Sequence, residues 1–62
     1  MNEFKKNRRL EWKLKRIEKG IKLKELAIET GYSISMLSRY ENAQRDLDSK
    51  SEKLYKEYIE NK

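Results

Sequence analysis

The sequence predicts an all-α fold of four helices. Three observations carry the prediction. Proline is absent, and glycine occurs only at Gly20 and Gly31, so nearly everything between those breaks is free to be helical. Apolar residues recur at intervals of three and four, the helical period. Residues that start or stop helices stand at the ends of those runs: Gly20, Gly31, Ser33 and the Ser49-x-x-Glu52 pattern.

The segment 1–9 is polar and basic, with Phe4 its single large apolar side chain. It reads either as a frayed helix start or as a basic arm. Leu10, Leu14, Ile17 and Ile21 then form one apolar stripe on a first helix over about residues 5–18. Gly20, just past Lys15, Arg16 and Lys19, fits the left-handed residue that ends a helix whose last turn is cationic. Trp12 lies off the stripe, at the domain edge or in an oligomer contact.

Leu23, Leu26, Ala27 and Thr30 share one face of a short second helix that Gly31 ends. Ser33 is placed to accept a backbone N–H at the start of a third helix, about residues 34–41. There Met36, Leu37 and Tyr40 form the apolar side, with Ser35, Ser38, Arg39 and Asn42 opposite. A polar link, 42–46, follows. Ser49 and Glu52 fit a capping box, serine at the cap, for a fourth helix over 49–61 striped by Leu54, Tyr55, Tyr58 and Ile59.

Composition narrows the function. Sixty-two residues allow one domain, 1–62, with a thin core, because so short a chain buries only about 60% of its unfolded surface. There is no cysteine and no histidine, which removes disulfides, thiolate metal sites and the commonest general base. No apolar run approaches the roughly 20 residues that span a bilayer, and no signal-peptide core is visible. An intracellular protein is expected, with no cofactor. The net charge is +5, and residues 1–24 carry ten Lys or Arg against three acids. That localised excess suits a polyanion or an anionic membrane.

The stretch 26–42 is the most specific. Leu26 anchors the second helix and Ala27 is small enough for the next helix to cross close above it. Gly31 supplies a turn with positive φ, and Leu37 and Tyr40 anchor the third helix. Two short helices joined by a tight glycine turn form a helix-turn-helix unit.

On Lys15-Arg16-Ile17, Gly20, Glu25-Leu26-Ala27, Gly31-Tyr32-Ser33, Ser38-Arg39-Tyr40-Glu41-Asn42 and Arg45, the chain resembles the DNA-binding domain of phage repressors and Cro proteins, the Xre family. The resemblance covers about residues 10–47 and implies a small, lambda-repressor-like helix-turn-helix domain. It implies that Arg16 and Glu41 form an ion pair tying the first helix to the end of the third. It makes 34–41 a recognition helix in the major groove, with Ile34, Ser35, Ser38 and Arg39 facing bases. Arg39 matches a donor to guanine O6 and N7. Lys22, Lys24, Ser33, Asn42 and Arg45 match positions that hold the DNA backbone, which sets register rather than sequence choice.

Three positions depart from the family pattern. Lys22-Leu23 replaces the usual Ser or Thr followed by Gln, removing a cap and a glutamine phosphate contact. Ala43 stands where glycine usually follows Glu-Asn, which leaves the left-handed turn to Asn42. Ile34 is apolar where a polar reader is common, which alters the base code rather than the fold.

The expected function is therefore that of a small sequence-specific transcriptional regulator. It would be a repressor or Cro-like protein in the cytoplasm of a bacterial or phage-infected cell, occupying a double-stranded operator. A homodimer on a pseudo-palindrome is one expected assembly, through part of the fourth-helix stripe with Trp12 or Phe4. A monomer whose tyrosines complete the core is the other. The alternative function is a protein-interaction module, an antirepressor or antitoxin, kept open by a third helix with only Arg39 as a cation. An enzyme is not expected: Glu25, Glu29 and Glu41 have no histidine, cysteine or glycine-rich phosphate loop beside them. Residues 5–19 could also be argued as a basic membrane-surface helix, but that leaves the glycine turn, Arg16 and Glu41 without a role.

Overall fold

The computed structural model describes residues 3–62, with side chains from residue 8 onward. Four helices follow one another: α1 (Glu3–Glu18), α2 (Leu23–Thr30), α3 (Ile34–Glu41) and α4 (Ser49–Asn61). The segment read as helix start or arm thus opens α1, while Met1, Asn2 and the Phe4 side chain lie outside the described residues.

The helix ends follow from local chemistry. At the end of α1 the Ile21 N–H donates to the Arg16 carbonyl and the Gly20 N–H to the Ile17 carbonyl, both at 3.0 Å. This is a Schellman closure, with Gly20 at φ +72°. Lys22, at the N-cap of α2, makes no side-chain cap, and the Glu25 carboxylate accepts from its backbone N–H at 3.2 Å. Gly31 takes φ +81° after α2. A side chain there would meet nothing within 4 Å, so the backbone angle alone demands glycine. The Ser33 Oγ accepts from the Met36 N–H at 3.1 Å and caps α3.

Two caps differ from the sequence reading. Asn42 keeps an ordinary φ of −93°, and Ala43 takes the left-handed turn at φ +60°. The helix continues one residue further before it breaks, so the strain falls on alanine. The cap of α4 is Asp48, whose carboxylate accepts from the Ser51 N–H at 3.2 Å, and Ser49 is already helical. An aspartate one residue upstream does the same work as the serine, with a full charge at the helix N-terminus.

α2 packs on α3 and α4, and α1 on the same two helices. Between them lie Ile21, Leu26, Leu37, Tyr40, Leu47, Tyr55 and Ile59, with Trp12, Leu23, Ala27, Tyr32 and Tyr58 half-buried around them. Tyr40 and Tyr55 meet edge to face, 5.2 Å between ring centres. Such a pair is worth about 0.5–1.5 kcal/mol beyond its buried area. With Tyr55 and Ile59 fully buried, these two members of the α4 stripe close the core and are not free for a dimer contact.

The first-helix stripe is the main correction. Of its four members only Ile21, beyond the helix, is buried; Leu10 is 47% exposed, Leu14 55% and Ile17 53%. The face α1 turns inward instead carries the buried Arg9 and Arg16, with Trp12 and Lys13 half-buried. Two stripes of the same period run along this helix. The arginine stripe takes the interior because α3 and its following loop offer it the Glu41 and Asp46 carboxylates and the Tyr40 and Arg45 carbonyls. Met36 is likewise 41% exposed: one residue before Leu37, it falls about 100° off the buried line of α3.

Candidate nucleic-acid interface

The orientation of α3 is set from behind. Leu37 and Tyr40 are sealed in the core and Glu41 is 4% exposed. Buried charge of this kind persists only when paired and hydrogen-bonded, and Glu41 is both. The Arg16 Nε donates to its Oε2 at 2.7 Å and the Arg16 Nη2 to its Oε1 at 3.1 Å. The Tyr55 hydroxyl adds a third bond at 2.7 Å. A remaining Arg16 N–H donates to the Ile21 carbonyl at 2.9 Å. The fork is bidentate, the geometry that guanidinium and carboxylate match best. Burial and the Glu41 charge together push the Tyr55 hydroxyl well above its ordinary range, so it stays a proton donor.

A second arginine, not singled out by sequence, repeats the device one heptad earlier. Arg9 is 6% exposed. It donates to the carbonyls of Tyr40 at 3.2 Å and Arg45 at 2.8 Å, and pairs with Asp46. Its guanidinium also lies over the Tyr40 ring, 4.3 Å from the centre. Arg9 thereby holds the last turn of α3 and the start of the next loop. The signal was available: Arg9, Trp12 and Arg16 are spaced three and four apart, a helical face of its own.

With Leu37, Tyr40 and Glu41 inward, the opposite side of α3 is fixed. Ser35, Arg39 and Asn42 are exposed, Ser38 is half-buried at the margin, and Ile34 is 48% exposed at the other edge. Among the described residues Arg39 makes no ion pair or hydrogen bond, so its five donors face solvent. The structure thus brings Ile34, Ser35, Ser38 and Arg39 onto one surface.

The remaining nominated residues are less uniform. Lys22 and Lys24 are exposed at the start of α2. Ser33 sits at the head of α3 with its oxygen already accepting a backbone bond, which leaves its hydroxyl proton free. Asn42 is exposed beside Arg39 in the helical wheel. Arg45 is half-buried, its guanidinium 5.4 Å from the Tyr32 ring centre and its Nε bonded to the Asp46 carbonyl at 3.1 Å. Its position is therefore set by the loop. Lys22, Lys24, Arg39 and Arg45 give the nominated surface four cations and no acid.

Two acids nearby are committed to the fold. Glu25 accepts from Tyr58 and Lys62, each at 2.7 Å, besides the Lys22 backbone. These bonds, Lys62 foremost, hold its pKa down at about 2. Asp48 accepts from Ser51 and from the Tyr32 hydroxyl, the latter at 2.8 Å, and is likewise held at about 2. Among the described residues no cluster of carboxylates could hold a metal ion, and no helix is long and apolar enough to cross a membrane.

A supporting helix, a glycine turn, and a second helix with its apolar side locked and its polar side outward define a helix-turn-helix domain, a DNA-binding regulatory unit. A family model described as Helix-turn-helix matches residues 13–51. That is more than half of the chain, which belongs to this family, in its Xre-like form. No curated protein and no solved structure matches it.

Proposed function

We propose that this protein is a sequence-specific transcriptional regulator of the repressor or Cro kind, acting in a bacterial or phage-infected cell. It enters the major groove of an operator with α3. The observation that carries the reading is the outer face of α3, where Ile34, Ser35, Ser38 and Arg39 lie together and Arg39 is free. Arg39 donates two bonds to a guanine, the commonest specific contact. Ser35 and Ser38 reach a base edge or a phosphate, and Ile34 meets a thymine methyl. Lys22, Lys24, Ser33, Asn42 and Arg45 hold the phosphates on either side, fixing the depth and register of α3. Occupancy of the promoter then excludes or recruits the transcription machinery.

The test is a selection from a library of duplexes, comparing wild type with Arg39→Ala at two salt concentrations. The expected result is one preferred sequence, with Arg39→Ala losing about 1–3 kcal/mol of discrimination at a single guanine position while nonspecific affinity persists. No preferred sequence, together with tight salt-insensitive binding to a protein, would instead favour the antirepressor or antitoxin role.

A further inference from the structure

The DNA reading leaves the outward face of α1 without a role. Leu10, Leu14 and Ile17 are about half exposed and none belongs to the buried core. Their spacing of four and then three is that of a coiled-coil seam. In that register Lys13 flanks the seam on one side and Glu11 and Glu18 on the other. Among the described residues none of these three charges makes an ion pair or a hydrogen bond.

We propose that Leu10, Leu14 and Ile17 form a self-association face, on which α1 of one copy lies parallel to α1 of a second copy. The charges select this occupant. Parallel pairing sets Lys13 of one copy beside Glu18 of the other, and two-fold symmetry repeats the contact. Antiparallel pairing brings like flanks together, lysine against lysine and glutamate against glutamate, and is opposed by repulsion. The seam is short, so the interface falls in the small, concentration-dependent class, below about 1,200 Å². The proposal does not rest on α3 or on DNA.

The test is sedimentation equilibrium of the full chain without DNA, at low salt, from micromolar to millimolar concentration. The wild type is expected to show a monomer–dimer equilibrium. Leu14→Glu is expected to weaken it at least about tenfold, the equivalent of 1.4 kcal/mol, with unchanged helical circular dichroism because the residue is 55% exposed. Lys13→Glu and Glu18→Lys should each weaken it, and the double variant should return to within about threefold of wild type. A chain monomeric throughout overturns the proposal. So does association that ignores Leu14→Glu, or a double variant that fails to recover. With DNA absent, these outcomes are separate from any failure of the operator reading.

Discussion

Arg16 and Arg39 are the same residue in opposite circumstances. Arg16, on the inward side of α1, is 9% exposed, holds Glu41 bidentately and bonds the Ile21 carbonyl. Arg39, on the outward side of α3, touches no described partner and lies in solvent. Arg9 sides with Arg16, four times engaged by carbonyls, a carboxylate and a ring. The difference teaches how to sort the cations of a basic protein. Those with internal acceptors aim a helix; those without are available to a ligand.

The sharpest way to break the comparison is to remove each arginine in turn. Arg16→Ala strands Glu41 and Glu41→Ala strands Arg16, so either should cost about 3–5 kcal/mol of stability in urea unfolding. In a domain of this size that leaves little folded protein. Arg39→Ala should move the same unfolding curve by less than about 0.5 kcal/mol, while losing the guanine preference stated above. A stable Arg16→Ala or an unfolded Arg39→Ala would erase the distinction between the two regions.

A smaller effect is expected where α3 ends. Ala43 sits at φ +60°, a region that costs a β-carbon residue about 1–2 kcal/mol. Ala43→Gly relieves the strain but adds chain entropy to the unfolded state, leaving a net gain of about 0.5–1 kcal/mol, readable as a raised melting temperature. The substitution leaves both arginines in place, so it should leave operator choice unchanged.

The smallest effect is an acid one. The Glu25 and Asp48 carboxylates are held at about 2 in the fold, against ordinary values of 4.5 and 3.8. Lowered folded values mean that their stabilisation is present above about pH 4.5 and is lost as pH falls toward 2. Melting followed across that window should show a decline, and Glu25→Gln should flatten part of it. These carboxylates belong with Arg16 rather than Arg39: their partners are internal.

The helix boundaries were legible because their causes are local. Gly31 and Ser33 bracket the turn between α2 and α3, and the polar link before Ser49 marks the next break. The inward face of α1 was not legible from periodicity. Leu10, Leu14 and Ile17 share their period with Arg9, Trp12 and Arg16, and the choice between them depends on Glu41, Asp46 and the Tyr40 and Arg45 carbonyls, some 25–37 residues away. The cap of α4 was misplaced by one residue because Asp48 and Ser49 are both good caps. On the candidate interface the outer face of α3 follows by subtraction once Leu37, Tyr40 and Glu41 are inward. The hold of Tyr32 on Arg45 was not visible, since it joins residues on either side of α3.

The Glu41 carboxylate is where α1, α3 and α4 meet, through Arg16 and Tyr55. A helix that frays at its own end can open alone; one tied at a shared buried charge cannot leave without stranding that charge for the other two. Backbone amides around Arg16, Tyr40 and Tyr55 are therefore expected to be released together in hydrogen exchange, by global unfolding rather than one helix at a time. In so small a domain, one carboxylate makes the three helices a single cooperative unit.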